Sequence, residues 1–223
     1  SSWGVTYSNT TVYSKQKLSS WLSNKYNGSI AALNAAWGSK YTTFGSAGGW
    51  GTGSGVLEED GTCPSRAGSP CWVPTDAFTL NGATAAMQSD LNGFLLFHAQ
   101  NYFSIVKNAL SQKLPGVLYG GPTTLGTWGT PARREILQAA SQYVDVLGVA
   151  TIPPLCSNCT DLQQRIDFIS TYFGDKPWVS WEGFPANADS YMAPYATPQD
   201  EFSTQAQRGQ AYQQRVQQLV TAD

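Results

Sequence analysis

Residues 144–182 read VDVLGVATIPPLCSNCTDLQQRIDFISTYFGDKPWVSWE, and this stretch decides the fold class. It contains two short apolar runs, 144–150 and 177–182, separated by a polar loop and a helical segment, 162–173. Short apolar strands separated by helices of ten or more residues are typical of parallel strands covered on both faces. The stretch therefore predicts an α/β fold.

The same alternation continues on both sides of this stretch. VLYGG (117–121) is predicted to be a strand, and ARREILQAASQY (132–143) and TQAQRGQAYQQRVQQLV (204–220) are predicted to be helices. Every strand is followed by a long loop, as on the active-site face of a (β/α)₈ barrel. Counting WGVTY (3–7), four of the eight barrel strands are found. We expect a partial (β/α)₈ TIM barrel, with a doubly wound sheet as the alternative.

Three helices are predicted in the first half of the chain. Thr11–Tyr26 has helical spacing and ends at Asn27-Gly28, and IAALNAAWG follows, with Ser29 as N-cap and Gly38 as its end. Residues 84–113 form the longest predicted helix.

Residues 39–81 are rich in Gly, Ser, Thr and Pro and are predicted to be a long inserted loop. Loops of this length inside compact domains usually serve a function. The expected organisation is a single barrel domain over 1–223, incomplete, that carries this loop.

The composition of the chain restricts the classes of partner that it is expected to bind. The 223 residues carry a formal net charge of −2, and no basic cluster is longer than Arg133-Arg134, which argues against nucleic acid and anionic membranes. No apolar run is long enough to span a bilayer. The 8 Trp, 11 Tyr and 9 Phe are many for so few charges, and such rings either stack on sugars or fill the core.

The four cysteines form two close pairs in loops. We expect disulfides Cys63–Cys71 and Cys156–Cys159, because each then closes one surface loop. A zinc site and a redox pair are the alternatives. Disulfides indicate an oxidising compartment, so a secreted location, extracellular or periplasmic, is expected. Three glycosylation sequons are compatible with it: Asn9, Asn27 and Asn158.

Glu182 is the candidate catalytic residue. Alternation along PWVSWE places Trp178, Ser180 and Glu182 on one face of the strand, with Glu182 at its carboxyl end. A carboxyl group at the end of a buried barrel strand is costly unless it acts on a ligand. The alternative is an ion pair that clips the barrel rim.

Two motifs carry a family resemblance. WLSNKYNGSIAALNAAWGSKYTTFGS (21–46) is similar to the segment after the fourth strand in glycoside hydrolases of clan A, notably bacterial β-galactosidases. KPWVSWEG (176–183) resembles the seventh strand of that clan, whose terminal Glu is the nucleophile. The resemblance covers Trp3 to Leu219 as strands four to seven, the C-terminal part of the barrel. It implies that Glu182 is the nucleophile.

One departure concerns the acid/base. In the clan the fourth strand ends in Asn-Glu, whereas here Asn9 matches the Asn and Thr10 stands at the position of the acid. Either the strand register differs, or the acid comes from elsewhere, or the site is impaired. The acidic run Glu58-Glu59-Asp60 lies in the long loop, and we expect it to be a solvated face.

These patterns predict a retaining glycoside hydrolase of carbohydrate metabolism that acts on β-linked oligosaccharides or polysaccharides. Asn9, Trp128 and Phe184 are the expected substrate-binding residues, although the two rings could instead pack loops. No metal or cofactor is expected. His98, the only histidine, is expected to be a satisfied core residue.

Two other classes of function remain open. Thr10 at the acid position suggests a non-catalytic, glycan-binding barrel descended from such an enzyme, and a purely structural subunit is the third reading. In each case the remaining barrel strands must come from the same or another chain, because half a barrel leaves sheet edges unpaired.

Overall fold

The computed structural model describes residues 9–48, 54–58, 84–121, 133–149, 160–180 and 202–221. The chain divides into two compact units, Ser1–His98 and Ala99–Asp223. The described elements are mostly helical. In chain order they are α1 (Tyr13–Lys25), α2 (Ile30–Trp37), a 3₁₀ turn (Val56–Glu58), α3 (Ala85–Lys113), α4 (Arg134–Tyr143), β1 (Leu147–Val149), α5 (Thr160–Phe173), β2 (Trp178–Ser180) and α6 (Gln205–Thr221).

The first two helices begin and end where local chemistry predicts. After α1, Asn27 and Gly28 take positive φ values of 52° and 73°, the left-handed conformation that stops a helix. The hydroxyl of Ser29 then accepts a hydrogen bond from the Ala32 N–H at 3.2 Å and caps α2. Gly38 ends α2 with φ of 65°. Both predicted helices are confirmed.

The core of the first unit lies between α1, α2, the 3₁₀ turn and the first half of α3. It consists of Leu18, Leu22, Leu33, Trp37, Tyr41, Val56, Met87, Leu91 and Phe94. Trp37, with 0% of its surface exposed, is the largest of these side chains. Thr84 ties α3 to α2, because its hydroxyl donates to the Ala36 carbonyl at 2.7 Å and accepts from the Met87 N–H at 3.1 Å.

The second unit contains a parallel sheet arrangement. β1 and β2 pair in parallel with Leu147 opposite Trp178 and Gly148 opposite Val179. Gly120 forms a parallel bridge with Val146 on the other side of β1. The strand prediction over 117–121 was therefore too long: within that segment only Gly120 takes part in bridge pairing. The parallel pairing itself agrees with the predicted α/β class.

Helices α4 and α5 pack against each other. Leu137, Ala139 and Ala140 are buried on α4, and Ile166, Ile169 and Phe173 are buried on α5. None of the helices in the described part of the chain is long and apolar enough to cross a membrane.

Two side-chain predictions were wrong. Glu58, expected on a solvated face, is fully buried, whereas Glu59 and Asp60 lie outside the described residues. His98, expected in the core, is exposed, although its ring centroid lies 6.0 Å from that of the buried Phe94. Four-residue spacing from Phe94 suggested burial, but the apolar neighbours that bury Phe94 do not extend over His98.

Candidate active site

The carboxyl ends of β1 and β2 define the edge at which a barrel site would lie. Because the two strands are parallel and in register, they end side by side at Val149 and Ser180. Glu182 follows β2 by two residues and lies outside the described residues. Trp128 and Phe184, predicted to line a sugar cleft, also lie outside them, so all three roles stay predictions.

The two faces of the sheet are covered differently. The ring of Tyr119 lies 6.5 Å from the ring of Phe103 on α3, and Tyr119 and Leu147 are both buried. Val146 and Val179 belong to the opposite face, because they pair with Gly120 and Gly148 at alternate positions. Val179 is 44% exposed. Phe103 of α3 therefore packs on the face that carries Tyr119, whereas on the other face Gly148 is buried and Val179 is partly exposed.

A charged cluster fixes the amino end of the sheet. The Asp145 carboxylate accepts hydrogen bonds from Lys107 Nζ at 2.6 Å and from the Tyr119 N–H at 2.7 Å. These two donors hold the pKa of Asp145 below its ordinary value. Lys176 Nζ donates to the carbonyls of Ser141 at 2.5 Å and Val144 at 3.0 Å. The pair of Lys107 and Asp145 joins α3 to the segment just before β1. Lys176 joins the segment before β2 to the end of α4.

A second ionic cluster lies at the start of α4. Glu135 is buried and accepts from Arg133 Nε at 3.2 Å and from Arg134 Nε at 2.9 Å. Burial alone would raise the pKa of Glu135, but the hydrogen bonds and the two arginine charges outweigh it, and the pKa is lowered. This carboxylate is held ionised by its sequence neighbours, an arrangement that orders the helix start.

Asn9 and Thr10 form the turn that leads into α1. The Asn9 side-chain oxygen accepts hydrogen bonds from the Thr11 N–H at 3.1 Å and from the hydroxyls of Thr10 at 3.3 Å and Thr11 at 3.2 Å. Gln16 Nε2 donates to the Thr10 carbonyl at 3.1 Å. The acceptor side of Asn9 is thus engaged locally, and substrate binding by Asn9 stays a prediction.

Glu58, which the sequence predicted on a solvated face, is a buried carboxylate. Its Oε1 accepts from the N–H groups of Ala47 and Gly48, both at 2.6 Å, and its Oε2 accepts from the Gly55 N–H at 2.8 Å. A buried carboxylate is stable when backbone donors surround it in this way. Glu58 therefore holds the stem of the long loop, and both of its carboxylate oxygens accept backbone hydrogen bonds.

Asp90 is the other carboxylate in the described part of the first unit. It is 2% exposed, and its Oδ2 accepts from the Tyr26 hydroxyl at 2.6 Å and from Trp37 Nε1 at 2.7 Å. Lys25 forms an ion pair with Oδ1. Burial and the hydrogen bond to Asp90 raise the pKa of Tyr26 to about 12. Asp90 joins α3 to α2 and to the end of α1.

Both carboxylates are buried and hydrogen-bonded within the protein, whereas the acid of a glycosidase has to reach the substrate. Within the described ranges, no three His, Cys, Asp or Glu side chains are close enough together to hold a metal ion. Glu58 and Asp90 each have apolar neighbours in the sequence, which is a signal for burial. Apart from the Gly55 N–H, however, the hydrogen-bond donors to these two carboxylates lie ten or more residues away.

The chain is similar in sequence or structure to several agarases. No protein-family model matches the chain. Beta-agarase A of Vibrio sp. (strain JT0107) is 31% identical over 124 residues, which cover 55% of this chain and 9% of that protein. An exo-β-agarase structure superposes over 96% of this chain with a TM-score of 0.67 and 23% identity. The agarase AgWH50C superposes over 93% with a TM-score of 0.61 and 21% identity.

The chain spans 24% of each of these two agarase structures. It therefore shares the fold of about a quarter of an agarase chain. The expected resemblance to glycoside hydrolases is confirmed at that level, and the relatives found are agarases where the sequence motifs had suggested β-galactosidases.

Proposed function

We propose that this chain is part of a retaining glycoside hydrolase that cleaves a β-linked polysaccharide of the agarose type, with Glu182 as its nucleophile. The observation that carries the proposal is the similarity to agarases, in sequence over 55% of the chain and in fold over 96%. The chain carries a formal net charge of only −2, which is compatible with binding a neutral glycan.

In the proposed reaction, the Glu182 carboxylate attacks the anomeric carbon while the glycosidic oxygen leaves with a proton from a second carboxyl group. Water then attacks the glycosyl-enzyme ester, gives up a proton to that second group and releases the sugar with retained configuration. The second group must lie about 5–5.5 Å from Glu182. Glu58 and Asp90 are poor candidates for it because both are held by buried donors.

The proposal makes a demand on the strand that leads to Glu182. Trp178 pairs with the buried Leu147, on the face that carries Tyr119. Strict alternation would assign Glu182 to that same face. A nucleophile has to face substrate, so the proposal requires this face to be open to substrate at the carboxyl end of β2.

The proposed architecture is strands four to seven of a (β/α)₈ barrel. The parallel order of 120, β1 and β2 is the observation in its favour. Completing the barrel requires strands from the same or another polypeptide. Secretion and the pairs Cys63–Cys71 and Cys156–Cys159 belong to the same proposal, and the cysteines lie outside the described residues.

The second candidate is a non-catalytic protein that binds such a glycan, and Thr10 at the position of the acid favours it. Assays with agarose oligosaccharides distinguish the enzyme from the binding protein. The enzyme releases new reducing ends from them in proportion to time and protein concentration. The binding protein gives a saturable calorimetric signal without new reducing ends, and that result would replace the enzymatic proposal.

A further inference from the structure

The turn that ends α1 contains an Asn-Gly pair, Asn27-Gly28. The Gly28 N–H donates a hydrogen bond to the Ser23 carbonyl at 2.8 Å, and the Asn27 N–H donates to the Asn24 carbonyl at 3.2 Å. These are the two hydrogen bonds of a Schellman motif, which closes the last turn of a helix. The backbone nitrogen of Gly28 is therefore engaged as long as the cap of α1 is intact.

An Asn-Gly pair is chemically labile, because glycine has no side chain to keep its backbone nitrogen away from the preceding carboxamide. In the reaction, the Gly28 nitrogen loses its proton and attacks Cγ of Asn27. The bond from Cγ to Nδ2 breaks, and ammonia leaves with the proton that Gly28 gave up. Water then opens the five-membered succinimide at one of its two carbonyls, which yields aspartate or isoaspartate at position 27. The ring closure is intramolecular, so water is the only other reactant.

The cap of α1 opposes the first step of this reaction. A carbonyl holds the proton that the Gly28 nitrogen has to lose, and the same hydrogen bond keeps this nitrogen from turning towards the Asn27 side chain. Tyr26, the last residue before the pair, donates its hydroxyl to Asp90 Oδ2 at 2.6 Å and so ties the end of α1 to α3. All of these residues belong to the first unit. The reaction at Asn27 therefore requires the cap to open.

We propose that Asn27 is a site of spontaneous deamidation controlled by the cap of α1, which blocks the reaction when closed and permits it when open. The product does not restore the cap. Isoaspartate adds a methylene to the main chain and moves Gly28 out of register with Ser23. Aspartate places a negative charge at the C-terminal end of α1, where the helix dipole disfavours it. The modification therefore loosens the connection between α1 and α2, and the inference does not depend on glycoside hydrolysis.

A second Asn-Gly pair, Asn92-Gly93, is an internal control. It lies inside α3, a helix of 29 residues, where each backbone N–H bonds to the carbonyl four residues earlier. Freeing the Gly93 nitrogen requires the interior of this helix to unfold, which costs more free energy than opening a helix end. A third pair, Asn81-Gly82, lies outside the described residues.

The test is peptide mapping by mass spectrometry after incubation at mildly alkaline pH, with the protein either folded or in guanidinium chloride. In the denaturant, Asn27 and Asn92 are expected to deamidate at similar rates. In the folded protein, Asn27 is expected to react at least about tenfold more slowly than in the denaturant, and Asn92 more slowly than Asn27. Tyr26→Phe removes the hydrogen bond to Asp90 and is expected to raise the folded-state rate at Asn27 about fivefold, without changing that at Asn92.

Three outcomes overturn the proposal. Equal rates at Asn27 in folded and denatured protein mean that the cap gives no protection, and no reaction at Asn27 in the denaturant means that the pair is not labile. Equal folded-state rates at Asn27 and Asn92 mean that the reaction follows unfolding of the whole unit. Circular dichroism confirms that Tyr26→Phe is folded.

The effect of the modification is measured with Asn27→Gly, which removes the carboxamide and adopts positive φ readily. Incubated wild-type protein is expected to lose thermal stability in proportion to the deamidated fraction at Asn27, whereas Asn27→Gly incubated in parallel keeps its own. Equal losses in the two proteins would contradict the proposed effect on the connection between α1 and α2.

Discussion

At the residue scale, Asp90 accepts hydrogen bonds from Tyr26 and Trp37 and forms an ion pair with Lys25. Trp37 is fully buried and its indole N–H donates to Asp90 Oδ2 at 2.7 Å, so Asp90→Ala removes a hydrogen bond inside the core. Asp90→Ala is expected to lower the free energy of unfolding by about 2–4 kcal/mol, and Tyr26→Phe by about 1 kcal/mol. Urea titration of the three proteins measures both values. An Asp90→Ala protein as stable as wild type would show that the network adds nothing.

Asp145 gives a pH dependence whose sign follows from its lowered pKa. Folding then holds the carboxylate in its charged form, so its contribution is complete above the unfolded-state pKa of about 3.9 and is lost as pH falls through the lower, folded-state value. The stability difference between wild type and Asp145→Asn is expected to be constant from about pH 7 to 5 and to shrink towards pH 3. Urea titrations at these pH values test it, and a difference that persists undiminished at pH 3 contradicts it.

At the element scale, a glycine-to-alanine substitution is expected to destabilise the stem of the long loop at Gly55 and to stabilise α6 at Gly209. A Cβ on Gly55 would lie 2.0 Å from the Gly45 carbonyl oxygen, so Gly55→Ala is expected to displace the isolated bridge between Gly55 and Thr43 and the hydrogen bond from the Gly55 N–H to Glu58. A loss of roughly 2 kcal/mol or more is expected. Gly209 lies within α6 with no atom within 4 Å of an added Cβ, and Gly209→Ala is expected to gain about 0.5–1 kcal/mol.

Thermal unfolding of the two alanine variants beside wild type provides the measurement. Destabilisation by Gly209→Ala would indicate that α6 packs more tightly than described. An unaffected Gly55→Ala protein would indicate that the loop stem is not held by the contact between residues 45 and 55.

The helices could be predicted from the sequence because their signals are local. Ser29 and Gly38 bound α2 through their own backbone geometry and one hydroxyl, and no distant residue is needed. Glu58 could not be predicted in the same way, because its donors at Ala47 and Gly48 precede it by ten residues or more. The exposure of His98 likewise depends on which helices pack around α3. The site residue Glu182 was inferred from strand position and resemblance, and its role stays a prediction.

At the scale of the whole molecule, the cysteines test the proposed compartment. If Cys63–Cys71 and Cys156–Cys159 are disulfides, the native protein reacts with no thiol reagent until it is reduced, and peptide mapping recovers the two local pairs. Four reactive thiols in protein purified from an oxidising compartment would remove the disulfides. A stoichiometric zinc content would favour the metal-site alternative instead.

The central claim is that Glu182 is the nucleophile of a retaining glycosidase. The most direct measurement is the hydrolysis rate of agarose oligosaccharides by wild type, Glu182→Gln and Glu182→Ala, with Glu59→Gln as a carboxylate-to-amide control. The account predicts that both Glu182 variants lose activity by at least about 10³-fold while remaining folded, and that Glu59→Gln does not. It also predicts that azide restores turnover to Glu182→Ala and yields a glycosyl azide of inverted configuration. Turnover by Glu182→Gln equal to wild type would contradict the account.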